Sequence, residues 1–155
     1  MIKDVNWDAT IYNDLPYKFE AGTPNIADII AFKASLEYLD AIGFDQIYKY
    51  EQVLVDYLLR KLAELDFVEV YGPKHMIPEK IALVSFNLKT VHAHDVGTML
   101  DEDGIAVRTG HHCTQLIMRK LGVPATVRAS LYLYNTTDEI DRMIESLKRI
   151  NDIFR

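Results

Sequence analysis

Apolar residues recur every three or four positions in three stretches of this 155-residue chain and every second position in others. That contrast places helices and strands. In the first helical stretch Ile29, Phe32, Leu36 and Leu39 make one stripe. Thr23-Pro24 suits its start, because threonine caps and proline fits the first helical position. Gly43 suits its end. Asp45 is placed to cap a second helix through Ile47, Tyr50, Leu54, Tyr57, Leu58, Leu62 and Leu65. The two read as a helical hairpin.

Strand signals follow. Phe67–Tyr71 ends at Gly72-Pro73, and Ile81–Phe86 is an apolar run short enough for a buried strand. A helix opens near His94-Asp95 and stops before Gly104. Ile105–Val107 reads as a short strand, and residues after Cys113 read as helical up to Gly122-Val123-Pro124. Val127, Ala129, Leu131 and Leu133 alternate with Arg128, Ser130, Tyr132 and Tyr134, as in a half-buried strand. Thr136 and Glu139 form a capping box ahead of Ile140, Met143, Ile144, Leu147 and Ile150. The pattern predicts an α+β fold: a helical hairpin, then a small, mostly antiparallel sheet packed with helices. Residues 1–22 have no clear period and read as an irregular leader. Its Trp7, Tyr12, Tyr17 and Phe19 need a surface to cover. Residues 23–155 read as one domain.

Composition changes little in this picture. Apolar residues make up 49% and charged residues 26%, with a net charge of -6. That acidity, with no basic run, argues against nucleic acid as a partner. No run reaches the ~20 apolar residues of a membrane-spanning helix. The start lacks the apolar core of a signal peptide. One cysteine cannot form an internal disulfide, which fits a reducing, cytoplasmic setting.

That cysteine is the main chemical signal. Cys113 stands in Arg108-Thr109-Gly110-His111-His112-Cys113, where arginine and histidine neighbours favour the reactive thiolate. It reads as a nucleophile, or else as a small buried hydrophobe. Zinc is the rival chemistry, since His92, His94, His111 and His112 are also ligand types. Adjacent ligands suit one tetrahedral ion poorly, however, and no CxxC or HxxxH is present. Arg128, in a predicted strand, needs an anionic partner: an internal carboxylate or a bound one. Arg108 has the same two readings. Gly22-Thr23 before a helix is a weak phosphate seat.

RTGHHC, followed by VRASLYLYNTTDEIDRMIESLKRI, resembles the C-terminal part of SufS-type cysteine desulfurases. These belong to the class-V aminotransferase group of pyridoxal-phosphate (PLP) enzymes. YKFEAGTPNIADIIAFKASLEYLDAIG and AHDVGTMLDEDGIAVRTGHHC are similar in the same register. The resemblance implies the small C-terminal domain of a fold-type I PLP enzyme. It also implies conversion of L-cysteine to L-alanine, with a persulfide on Cys113 that passes to a sulfur-acceptor protein for iron–sulfur cluster assembly. By the same resemblance Arg128 binds the substrate carboxylate and Arg108 lines the pocket. Thr23 with Gly22 reaches the PLP phosphate of the partner subunit in a homodimer. His111 and His112 match the loop without a defined step. Leu116 replaces a proline common in the family.

No lysine here follows a histidine, as the family's Schiff-base lysine does. The resemblance therefore implies that this lysine and its PLP domain lie upstream of Met1, and that the isolated chain is inactive. The alternatives are a selenocysteine lyase fragment and a stand-alone sulfur-carrier or metal-binding domain.

Overall fold

The computed structural model describes residues 1–78 and 80–155. The chain divides into two compact units, Met1–Gly43 and Phe44–Arg155.

In the first unit the unpatterned leader contains a small antiparallel ribbon, β1 (Ile2–Val5) with β2 (Thr10–Tyr12). Its turn is closed by the Asn6 N–H on the Ala9 carbonyl at 2.8 Å. The helix α1 spans Ile26–Ile42. Its N-cap is Asn25, not Thr23, and the Asn25 side chain donates to Asp28 rather than capping the helix. A residue before proline is pushed toward extended geometry, so helix begins only beyond Pro24. No residue of this unit is buried. The stripe of Ile29, Phe32 and Leu36 is exposed, and Trp7 is fully so.

The second unit runs α2 (Phe44–Ala63), β3 (Val68–Tyr71), β4 (Leu83–Leu88), α3 (Ala93–Glu102), β5 (Arg108–Gly110), α4 (Gln115–Leu121), β6 (Thr126–Ser130) and α5 (Thr137–Ile153). Its four strands form an antiparallel sheet in the order β3-β4-β6-β5. The α+β expectation holds. Strand alternation sends Val84, Phe86 and Leu88 of β4, with Val127 and Ala129 of β6, into the core. The helices answer with Leu54, Leu58 and Leu62 of α2, Val96 and Leu100 of α3, and Ile140, Leu147 and Ile150 of α5. Each such side chain contributes roughly 1.5–3 kcal/mol by leaving water. The capping box of α5 forms as the sequence predicts, with Thr136 and Glu139 bonded reciprocally. Ser85, Asn87, Thr126 and Arg128 fall on the sheet's other face.

Two strands differ from the pattern. Ile105–Val107 is irregular, and β5 is Arg108–Gly110, the start of the histidine–cysteine loop. Only those residues reach register with β6. The alternation of residues 127–134 ends as strand at Ser130. There the Asn135 side chain accepts from the Tyr132 N–H at 2.8 Å and folds the chain into a turn. Gly97 of α3 sets how close that helix lies to β5. A Cβ added there would stand 2.4 Å from the Thr109 methyl.

Candidate active site

The antiparallel register decides which polar groups meet. Arg108 lies directly opposite Arg128, and Arg128 directly opposite Ser85. Directly opposed residues project to the same face. The two arginine side chains therefore leave the same face of the sheet from neighbouring positions. Like charges so placed repel. Among the described residues neither arginine forms an ion pair with a carboxylate. The buried Arg128 Nε has no hydrogen-bond partner there. Among the described residues, then, no internal salt bridge holds Arg128.

The chain leaves β5 through Gly110, whose φ of 118° favours glycine. It then makes a tight turn, closed by the Thr114 N–H on the His111 carbonyl at 2.8 Å. Both central residues, His112 and Cys113, have positive φ, 54° and 60°. That is the mirror-image turn geometry usually given to Asn-Gly. The turn brings the Cys113 sulfur to 3.7 Å from Arg108 Nη2 and leaves it exposed. Exposure disposes of the buried-hydrophobe reading of this thiol.

His112 folds the other way. Its Nε2 lies 3.1 Å from the Thr126 carbonyl oxygen and 2.9 Å from the Thr126 hydroxyl. A carbonyl only accepts, so Nε2 carries the hydrogen and Nδ1 is a bare acceptor. Nδ1 is buried without a partner among the described residues. Burial is the main reason its pKa lies below the ordinary 6.5, with Arg128, Arg108 and His111 pushing the same way. The Thr126 carbonyl opposes them. Thr126 is fully buried.

Arg108, Cys113 and Arg128 thus belong to one cluster of the second unit. Gly22 and Thr23 belong to the first. Gly22 has φ 79° and open space where a Cβ would stand, and Thr23 is exposed. His92, named above as a possible ligand type, caps α3 by accepting from the His94 N–H at 3.2 Å. The sequence marks His112 only as a ligand type and a match to the loop, with no positioning role, and its strand pattern begins one residue beyond Thr126. No periodicity flags a pair 14 residues apart. Among the described residues no group of three or more His, Cys, Asp or Glu is placed to hold a metal ion. No described helix is long and apolar enough to cross a membrane.

Residues 1–143 match the family described as aminotransferase class-V. A cysteine desulfurase of Haloferax volcanii is 44% identical over 154 residues, covering 99% of this chain and 36% of that protein. A crystal structure of the Escherichia coli cysteine desulfurase CsdA, in an S-sulfonic acid form, is similar with a TM-score of 0.82 and 31% identity. It covers 100% of this chain and 38% of that one. The apo cysteine desulfurase of Thermococcus onnurineus is similar with a TM-score of 0.78 and 39% identity, over 96% of this chain and 37% of that one. The chain spans little more than a third of the relatives it matches.

Proposed function

The chain belongs to the class-V aminotransferase family, and from that premise we propose that it forms the small-domain part of a PLP-dependent cysteine desulfurase. The observation that carries this reading is the Arg108–Arg128 row, without an ion-pair partner among the described residues, beside an exposed Cys113. A carboxylate seated there relieves the repulsion, and the planar guanidinium suits two-point capture of it. Arg128 binds the carboxylate of L-cysteine, and Arg108 lies between that seat and the thiol. The Cys113 thiolate attacks the substrate sulfur. An S–S bond forms, the substrate C–S bond breaks, and its electron pair stays with carbon. Protonation there gives L-alanine, and the second sulfur remains on Cys113 as a persulfide.

PLP, when bound, supplies the electron sink such chemistry needs. Of the residues present, Gly22 fits close approach of a phosphate because it has no Cβ, and Thr23 offers a free-standing hydroxyl. Asp28 in the first turn of α1 works against an anion at that end. The fit is to one phosphate contact, made to the partner subunit's cofactor in a homodimer. No lysine of the chain is assigned the Schiff base. The 155 residues alone are therefore expected to be inactive. The persulfide passes to an acceptor protein, for iron–sulfur cluster assembly in the cytoplasm.

The test has two arms. Mixing the chain with PLP, reducing with borohydride and measuring intact mass should give no stoichiometric adduct. An adduct on one lysine, with buried Lys80 the candidate, would mean that the chain holds its own cofactor. In the complete PLP-loaded enzyme, L-cysteine should yield alanine and add one sulfur atom to Cys113. Cys113→Ser should abolish both, and alanine formation that survives it would overturn the assignment.

A further inference from the structure

His112 and Cys113 both occupy left-handed backbone, where a side chain with a Cβ is disfavoured. Two such residues in succession persist only when their surroundings hold them. Cys113 contributes little to that: its sulfur is exposed, and its one polar neighbour, Arg108, is 3.7 Å away. The Thr114 hydroxyl and N–H both donate to the His111 carbonyl, which closes the turn on itself. Apart from the longer Arg108–Cys113 contact, the side-chain link from this turn to the sheet among the described residues is the His112 imidazole. Its anchor, Thr126, is itself fixed by pairing with Gly110 in the β5–β6 ladder. On the other side Thr109 packs against Gly97 of α3. The thiol thus rides on a turn that leaves the sheet at Gly110 and is tied back to it through the His112–Thr126 bonds.

We propose that His112 is the positioning residue of this site: bonded through Nε2 to the Thr126 carbonyl and hydroxyl, it holds the disfavoured turn that keeps the Cys113 sulfur beside Arg108. This rests on the reading of Cys113 as the attacking thiol. It adds that His112 touches neither substrate nor cofactor and acts through the cysteine. Its unpartnered Nδ1 takes no part in the clamp, and Arg128 and Arg108 on the neighbouring strands disfavour a second proton there.

The test is amide hydrogen exchange on the chain, read at Thr114, whose N–H closes the turn. Exchange reports local opening. His112→Ala keeps the backbone strain and removes the anchor, so Thr114 protection should fall about tenfold, the factor of one net hydrogen bond. Core amides such as those of Phe86 and Leu147 should not change. His112→Gly removes strain and anchor together, so its protection should lie between wild type and His112→Ala. Thr126→Val, which keeps the carbonyl but loses the hydroxyl, should give a smaller loss. Undiminished Thr114 protection in His112→Ala would overturn the proposal, and so would His112→Gly exchanging faster than His112→Ala. In the complete enzyme His112→Ala should lower kcat for alanine formation and leave KM for L-cysteine nearly unchanged, since Arg128 is intact. An equal rise in KM would make His112 part of the substrate seat instead. If the desulfurase reading fails, the exchange result still decides the clamp.

Discussion

Replacing Cys113 by glycine should leave the protein more stable than replacing it by alanine. Ordinarily the order is reversed, because glycine loses more backbone freedom on folding, by roughly 0.5–1 kcal/mol relative to alanine. At Cys113 φ is 60°. A residue with a Cβ in left-handed geometry costs roughly 1–2 kcal/mol, and glycine does not bear that cost. The sulfur is exposed and is lost equally in both variants, so its contacts cancel. The difference is about 0.75 kcal/mol in favour of glycine at the middle of the two ranges, within limits of roughly 0 and 1.5. Urea unfolding of the two variants measures it directly, and an unchanged slope would confirm that only the folded turn is altered. For a chain of this size the equivalent rise in Tm is about 1–4 °C. An alanine variant more stable by about 0.5 kcal/mol or more would refute the positive φ, and with it the strained turn on which the thiol sits.

Two further outcomes follow from the same region. Gly97→Ala puts a Cβ 2.4 Å from the Thr109 methyl, which a stiff β-branched side chain cannot swing aside. Stability should drop by about 1–3 kcal/mol, and Gly97→Ala with Thr109→Ser should recover most of it in the same urea assay. A neutral Gly97→Ala would mean that α3 is free to move off β5. His112 has a folded-state pKa below its ordinary 6.5, chiefly from burial. Its unfolded form therefore takes up a proton first as pH falls. Its contribution is complete above about pH 6.5 and is lost progressively below it. The urea midpoint of His112→Asn should thus fall less steeply than that of wild type as pH drops from 6.5, and parallel curves would contradict the shift.

Local pattern alone determined a good deal. The i, i+4 leucines of α2, the alternation in β4 and the Thr136–Glu139 box of α5 each encode an element within one or two turns of chain. The RTGHHC motif, together with the similar stretches in register before and after it, likewise pointed to the family. What the sequence could not determine is where partners decide. Ile105–Val107 has the better strand composition, yet Arg108–Gly110 is the strand, because register against β6 selects it. Leu131 and Leu133 continue the alternation, yet Asn135 turns the chain away. The stripe of α1 looks like a core face and buries nothing within its own unit. The site follows the same division. Cys113 and the two arginines are visible as residue types, but only the ladder sets Arg108 opposite Arg128, with no carboxylate paired to either among the described residues. Only the fold brings Thr126 under His112. Periodicity is a property of neighbours along the chain. Register, juxtaposed charge and backbone strain arise between segments whose spacing carries no local signal, and the tertiary structure alone decides them.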